Sequence, residues 1–161
     1  MKHILLLLSA CLLLTGCMSD AIFCISLHKI STKESFAPES LLVRTATDVS
    51  GDNAGDITPF PIVDSSSFGS VQYVKGDNDK WGLRLRMDRR GLGLWRQATA
   101  QYQGGRIAVL IDGFYAGDFV IKEYDPSGFV IIPPLWSKDE ARQIAEHVKK
   151  NYDILNKKVI P

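Results

Sequence analysis

The sequence lacks an excess of charge of either sign. Lysine and arginine together number 19, against 18 aspartate and glutamate residues. A nucleic-acid-binding domain would show a basic face or a strong positive excess, so the composition argues against that class. The 45% apolar and 23% charged content is ordinary for a globular protein. A chain of this size buries roughly two thirds of its unfolded surface, and we expect its body to fold without disulfides or a structural metal.

The sequence also lacks a hydrophobic run that is long enough to cross a membrane at its start. Residues 4–14 are almost entirely apolar and follow Lys2. A bilayer crossing needs ~20 such residues, whereas this shorter run behind a basic residue is typical of a secretory signal. We therefore interpret residues 1–16 as a signal peptide. Its removal takes away Lys2 and no acid, so the mature chain is formally neutral.

Cysteine is scarce, and its position is informative. The apolar run ends in Leu14-Thr15-Gly16-Cys17, which resembles the lipobox of bacterial lipoproteins. That resemblance implies cleavage between Gly16 and Cys17 and attachment of diacylglycerol to the Cys17 thiol. Each buried methylene of such a lipid contributes ~0.8 kcal/mol, and two chains hold a protein on a membrane almost permanently. The alternative is an ordinary secreted protein with an incidental cysteine.

The residue after Cys17 bears on the destination of the lipoprotein. In the enterobacterial sorting pattern an aspartate at this place retains a lipoprotein in the inner membrane, and here the residue is Met18. The expected location is the cell envelope, with the outer membrane facing the periplasm favoured if the cell is Gram-negative.

Residues 17–40 are predicted to form the lipidated N-terminus and tether. Residues 21–27 are apolar, so this part either rests on the bilayer surface or docks on the body. Cys24 lies within it, and we expect this cysteine to be buried and reduced rather than paired between molecules. Residues 28–39 are polar without periodicity and predict a linker, with the folded domain covering residues 41–155.

Several segments have the pattern of strands. In residues 81–87 apolar side chains alternate with Gly82, Arg84 and Arg86, which predicts a half-buried strand with both arginines in solvent. Further strands are expected at residues 41–47, 70–75 and 129–132. Pro133-Pro134 is expected to end the last of them, and residues 49–56 are expected to form a loop.

Residues 106–112 form a continuous apolar run that ends in aspartate, as in a central strand covered on both faces. Asp112-Gly113 predicts a two-residue hairpin turn, because the first hairpin turn type needs positive φ at both positions. Residues 114–123 would then return antiparallel.

Two segments have helical patterns. Leu92, Trp95, Thr99 and Tyr102 recur at helical spacing, and Gly104-Gly105 would end that helix.

Near the end of the chain, Ser137 and Glu140 form a capping box, and Trp136 can pack on Ala141 as a hydrophobic staple. Ala141, Ile144, Ala145 and Val148 follow as one apolar stripe, with Lys149 and Lys150 placed for the C-terminal dipole. The order of elements predicts a two-layer α+β domain with two helices packed on one face of a sheet.

The same segments resemble the head subdomain of the first periplasmic domain of SecD (SecDF), the export accessory protein. The resemblance is carried by the strand that starts at Trp81, the helix through Trp95, the hairpin at Asp112-Gly113, Gly128 and the helix opened by Ser137. It covers roughly residues 41–152 and is most specific from Trp81 onward. It implies an envelope-facing α+β module without catalytic residues of its own. Because SecD couples proton flow to export through transmembrane helices, the resemblance does not transfer translocase activity to this chain.

No pattern in the sequence predicts a catalytic site, a metal or a cofactor. His28 and His147 each lack a second ligand at metal spacing, and residues 65–67 are serines without the glycines of a nucleophile elbow. Gly91-Leu92-Gly93 lacks the third glycine of a dinucleotide fingerprint, since Arg96 stands there. The acidic stretch from Asp48 to Asp56 has Asn53 and Pro59 where a calcium loop needs glycine and glutamate.

We therefore expect a non-enzymatic envelope lipoprotein that binds a protein or peptide, such as an envelope protein or an exported polypeptide. The candidate contacts are an exposed sheet edge or the aromatic residues Phe114, Tyr115, Phe119 and Trp136. Arg84 and Arg86 could meet an acidic partner or anionic lipid, or they are the solvated face of a strand.

Two alternatives stay open. One is a structural or stress-related lipoprotein without a specific ligand. The other is a hydrolase of an envelope polymer that uses Asp112, Asp118 or Glu123.

Overall fold

The strands divide into antiparallel sheets, and the two larger sheets share the main apolar core. A computed structural model describes residues 23–31 and 44–157. One sheet has four strands in the order β4-β1-β7-β8, another has three in the order β5-β6-β9, and β2 and β3 form a hairpin. The elements are β1 (Ile25–Lys29), β2 (Arg44–Thr47), β3 (Asn53–Ile57), β4 (Val63–Asp64), a short 3-10 helix (Ser65–Ser67), β5 (Phe68–Lys75), β6 (Trp81–Met87), α1 (Arg89–Gln101), β7 (Arg106–Ile111), β8 (Phe114–Val120), β9 (Phe129–Trp136) and α2 (Lys138–Leu155). This arrangement confirms the predicted α+β class.

The strand β6 has the predicted alternation. Leu83 and Leu85 are fully buried, while Arg84 and Arg86 are exposed. β6 lies between β5 and β9, so both of its edges are hydrogen-bonded. The period of two therefore places its apolar side chains in the core.

The strand β7 is central in the other sheet and is covered on both faces, as its continuous apolar run predicts. Ile107 and Val109 belong to the main core, whereas Ala108 and Leu110 face a second cluster under the β2–β3 hairpin. The turn that follows is also as predicted, with φ of 51° at Asp112 and 88° at Gly113.

Both predicted helices are present, and α2 begins where the sequence predicts. The capping box of α2 is present: the Glu140 carboxylate accepts the Ser137 amide at 2.8 Å, and the Ser137 hydroxyl accepts the Glu140 amide at 3.4 Å. However, α2 continues to Leu155, so Lys149 lies within the helix, where it pairs with Asp153 at 3.0 Å. The prediction that Lys149 and Lys150 stand at the helix end is therefore wrong.

The prediction of a linker from His28 is wrong for the described residues 28–31. Ile25–Lys29 is a strand that pairs with β7 on one side and β4 on the other. Ile25 and Leu27 are buried in the main core, so residues 23–27 dock on the body. Ile25 and Leu27 alternate with Ser26 and His28, which is the pattern of a strand. The polar residues that follow His28 favoured a linker instead. Residues 32–39 lie outside the described part.

The prolines do not end β9. The strand continues through Pro133 and Pro134 to Trp136. Proline is tolerated there because, among the described strands, β9 is an edge strand that pairs only with β6. Its register also shifts between the pairs Leu83–Ile132 and Trp81–Trp136. The two prolines lack an amide hydrogen, but on the free side of β9 this removes no hydrogen bond between strands.

The predicted loop over residues 49–56 is also partly wrong. Residues from Asn53 onward form β3, which pairs with β2. The Asp48 carboxylate accepts the amides of Ser50 and Asp52, each at 2.9 Å, and so closes a tight turn. The predicted strand residues 41–43 lie outside the described part of the chain.

Candidate functional site

A groove lies between the outer edges of β8 and β9, and we call it the β8–β9 groove. Its volume is about 660 Å³, within the usual range for ligand-binding clefts. It is lined by Arg84, Trp95, Thr99, residues 119–123, Asp125, Ser127 and residues 129–131. The groove thus joins the two larger sheets where each of them ends.

Both strands that flank the groove have a free edge within the described chain. β8 pairs only with β7, and β9 pairs only with β6. A free edge presents unpaired backbone donors and acceptors to another strand, and proteins often blunt such edges with proline. Pro133 and Pro134 occupy the second half of β9. Its first half, beside the groove, has no such protection.

The floor of the groove is an aromatic pair. The rings of Trp95 and Phe119 lie 6.3 Å apart in a tilted arrangement. The Trp95 indole donates to the Asp125 carboxylate at 3.1 Å, and the Asp125 amide donates to the Thr99 hydroxyl at 3.2 Å. These bonds attach the loop that closes the groove to the buried face of α1.

The Asp125 carboxylate is held in its charged form. Partial burial alone would raise its pKa, but hydrogen bonds from Ser127 and Trp95 outweigh that effect and lower the pKa below its ordinary value. Arg96 fixes the same loop, because its guanidinium donates to the Pro126 carbonyl at 3.0 Å. The end of the groove is therefore a fixed wall.

The rim of the groove is apolar and exposed. Val120 is 47% exposed and Ile131 is 62% exposed. The Arg84 guanidinium lies 4.3 Å from the centre of the Phe129 ring, so that its charge is presented above an aromatic face. Lys122 and Glu123 add one charge of each sign. The surface is thus suited to a chain with apolar side chains and few charges.

The predicted contact residues are not gathered in one place. Phe119 and Arg84 line the β8–β9 groove, but Phe114 lies at the opposite end of β8, where it is 47% exposed. Trp136 is half-buried at the far end of β9, opposite Trp81. Arg86 is an exposed residue of β6. The groove therefore collects only part of the predicted set.

Tyr115 has a different environment. Its hydroxyl donates to the Asp118 carboxylate, which also accepts the Arg106 guanidinium at 2.6 Å. Partial burial and the bond to Asp118 raise the pKa of Tyr115 to about 12. This cluster joins β7 to β8 on the face of the sheet that packs under the β2–β3 hairpin.

The acids considered for hydrolysis have separate partners. The Asp112 carboxylate accepts the amides of Phe23 at 3.1 Å and Cys24 at 2.7 Å, whereas Asp118 is bonded to Arg106 and Tyr115. Glu123 lines the groove. Within residues 23–31 and 44–157, no three histidine, cysteine or acidic side chains are grouped as metal ligands would be.

The sequence did not reveal that Trp95, Val120 and Ile131 share a site. Trp95 has the spacing of a core residue, and it is indeed only 4% exposed. Val120 and Ile131 belong to different sheets, and only the tertiary arrangement brings them together. One feature of the sequence could have indicated the groove: β8 follows a hairpin turn, and no strand was predicted to pair with its other edge.

Neither helix of the described chain has the length and hydropathy that a bilayer crossing requires. The architecture is that of an antiparallel α+β domain with two helices and a cleft between sheet edges.

No protein-family model and no curated protein matches the chain. Solved structures of SecDF do match. One, of SecDF as a membrane component that enhances protein export, has a TM-score of 0.59 and 15% identity, with 79% of this chain and 62% of that chain covered. Another, of SecDF in a super-membrane-facing form, has a TM-score of 0.59 and 17% identity, covering 80% of this chain and 19% of the other.

The chain thus spans less than two thirds of either SecDF structure. At this level of identity the likeness concerns the fold, and it confirms the predicted resemblance at that level.

Proposed function

We propose that this protein is a non-enzymatic, lipid-anchored cell-envelope protein whose SecDF-head-like domain binds an extended polypeptide in the β8–β9 groove. The observation that carries the proposal is a cleft with two free strand edges and an apolar rim. An extended peptide can add to such an edge through its backbone, while its alternate side chains fill apolar pockets.

The chemistry of the groove supports a polypeptide rather than a nucleic acid or a small charged ligand. Val120 and Ile131 supply exposed apolar area on both sides, and the Trp95–Phe119 pair supplies an aromatic floor. The mature chain has no basic excess. Sequence-tolerant backbone pairing fits an envelope protein or an exported chain, and SecDF, which shares the fold, is itself a component that enhances protein export.

The location is proposed from the sequence. Leu14-Thr15-Gly16-Cys17 stands in the place of a lipobox, and diacylglycerol on Cys17 would anchor the chain. Met18 favours the outer membrane, with the body in the periplasm. The separate partners of Asp112 and Asp118 support a role in binding rather than in hydrolysis.

A defined unfolded chain tests the binding site. We expect a fluorescent, permanently unfolded polypeptide to bind the purified lipidated protein. The variants Val120→Asp and Ile131→Asp should each weaken binding about tenfold or more, because burial of such a side chain contributes ~1.5–3 kcal/mol. The control is Val49→Asp, at a position 84% exposed in the β2–β3 turn, which should bind normally.

Two results would contradict the proposal. Equal binding by the groove variants and the control would remove the groove as the site. Fragmentation of the probe during incubation would show that the protein hydrolyses the polypeptide, and the proposed non-enzymatic function would be wrong. If the groove variants bind weakly as expected, photocrosslinking from positions 120 and 131 in cells, with position 49 as control, would identify the polypeptide that the protein binds in the envelope.

A further inference from the structure

Phe23 and Cys24, which directly precede β1, are held by several contacts with the rest of the domain; we call this part of the structure the entry point. The amides of Phe23 and Cys24 donate to the Asp112 carboxylate at 3.1 and 2.7 Å. The Phe23 carbonyl accepts the Asn151 side chain at 3.3 Å, and the Phe23 ring lies 5.2 Å from that of His147. The N-terminal segment is therefore fixed between the β7–β8 turn and the C-terminal half of α2.

The distance from this point to the proposed anchor is short. Five residues lie between Cys17 and Phe23, and the six residue steps, fully extended, reach at most about 20 Å. A domain of this size is about 35 Å across. If Cys17 is anchored, the end of the body that carries Phe23 therefore stays near the bilayer, since the tether is too short for the body to turn that end away.

Exposed apolar residues flank the entry point. Phe114, directly after the Asp112-Gly113 turn, is 47% exposed. Ile154 lies one turn beyond Asn151 on the same helix face and is 55% exposed, and its neighbour Leu155 is 54% exposed. Side chains of this kind can enter the boundary between headgroups and acyl chains.

Cations surround these apolar residues. The Arg44 guanidinium donates to the Gly113 carbonyl at 3.2 Å and so lies beside the turn. Lys150 and Lys157 are exposed on α2 and just after it, one turn on either side of Ile154. The acid in the same turn, Asp153, is paired with Lys149 at 3.0 Å. The Asp112 carboxylate, also at this end, is bonded by the amides of Phe23 and Cys24. The exposed cations Arg44, Lys150 and Lys157 can therefore contact anionic phospholipid headgroups.

We propose that this end of the protein, formed by Phe114, Ile154, Leu155, Arg44, Lys150 and Lys157, docks on an anionic bilayer surface and sets the orientation of the body. The inference rests on the proposed lipidation of Cys17. Docking through this end leaves the groove-lining end of β8 away from the lipid, because Phe114 and Phe119 stand near opposite ends of that strand.

The test measures the depth of spin labels on the full lipidated protein in vesicles of phosphatidylglycerol and phosphatidylcholine. Labels are placed by Phe114→Cys or Ile154→Cys in a Cys24→Ser background, and by Phe60→Cys as control. Phe60 is 77% exposed, and its loop is bonded near the Lys29 end of β1, away from Phe23. We expect the first two labels to be shielded from a water-soluble nickel chelate and accessible to oxygen, while the control label stays in water.

The charges are tested separately. Lys150→Gln and Lys157→Gln should each lower the ratio of docked to undocked protein about fivefold, the equivalent of ~1 kcal/mol per basic residue at an anionic surface. The control is Lys80→Gln, since Lys80 lies near Glu140 at the opposite end of α2.

The possible failures are distinguishable. If mass spectrometry shows unmodified Cys17, the lipoprotein proposal fails and this inference fails with it. If Cys17 is lipidated but labels at positions 114 and 154 are as exposed to the chelate as that at position 60, only the docking inference is overturned. Unchanged circular dichroism of each labelled variant shows that the fold is intact.

Discussion

Leu135 packs directly on the backbone of Gly117, at the point where the edges of β8 and β9 meet. A Cβ atom on Gly117 would lie 2.7 Å from Leu135 Cδ1, and the φ of Gly117 is +155°. The two edges separate from this contact toward Phe119 and Phe129, which line the β8–β9 groove. The absence of a side chain at Gly117 therefore sets where the groove closes.

Substitution of Gly117 tests this closure. We expect Gly117→Ala to lower the free energy of unfolding by ~1–3 kcal/mol, because an alanine is strained at this φ and also meets Leu135. Chemical denaturation measures the change. In Gly93→Ala, within α1 and with open space around the new Cβ, stability should be unchanged or slightly higher. If adding Leu135→Ala to Gly117→Ala restores none of the lost stability, backbone strain alone accounts for the loss. If Gly117→Ala is as stable as the wild type, the close contact between Gly117 and Leu135 does not limit the groove.

Asp112 joins the hairpin turn to the N-terminal segment, and its removal should release that segment. Asp112→Ala loses two charge-assisted bonds to the amides of Phe23 and Cys24, and we expect a loss of ~1–3 kcal/mol. Hydrogen exchange should accelerate first in β1. Asp79→Ala is a matched control, because Asp79 also has a positive φ, of 56°, but its carboxylate pairs with the exposed Lys75. Equal losses in the two variants would assign the effect to backbone conformation instead.

The elements that the sequence predicts well are those encoded by neighbouring residues. The alternation in β6, the turn at Asp112-Gly113 and the capping box at Ser137 all involve residues within a few positions of one another. Each carries its own local energetic preference, so no knowledge of distant partners is needed. The α+β class follows from their order.

The elements that were missed depend on distant partners. Strand β1 exists because its backbone pairs with β4 and β7, far along the chain, while Ile25 and Leu27 pack in the main core. β9 passes through Pro133 because its outer edge is free, which is a property of the whole sheet. The groove was only partly foreseen for the same reason, since Phe119 and Ile131 become neighbours only when the two sheets are in place.

His28 makes stability depend on pH. Burial, opposed by the bond to the Thr58 carbonyl and reinforced by the positive charge of Arg44, lowers the pKa of His28 below 6.5, while Asp64 acts in the opposite sense. The ring is 3% exposed, and its other nitrogen bonds Ser26 at 3.0 Å. Below pH 6.5 the unfolded chain therefore binds the proton more readily than the folded one.

The stabilisation from neutral His28 is thus complete above pH 6.5 and is lost as the pH falls toward the lowered pKa of the folded state. We expect the free energy of unfolding to decrease between pH 7 and 5, and His28→Gln to remove most of that slope. Urea denaturation across this range measures it. A wild-type stability that is flat over this interval would contradict the assignment.

The bond from Trp95 to Asp125 should couple the stability of the core to the shape of the groove. In Trp95→Phe the ring contact with Phe119 is largely kept, but the 3.1 Å bond to the carboxylate is lost. Because hydrogen bonds to charged groups contribute ~1.5–3 kcal/mol, we expect a loss of that order and faster hydrogen exchange at the amides of Ser127 and Phe129. Binding of the unfolded polypeptide probe should weaken together with this local loosening. In Trp81→Phe, at the far end of β6, the loop and the affinity should be unaffected. If Trp95→Phe loosens the loop yet leaves the affinity unchanged, the wall formed by residues 124–128 plays no part in recognition, and the rim residues Val120 and Ile131 alone define the site.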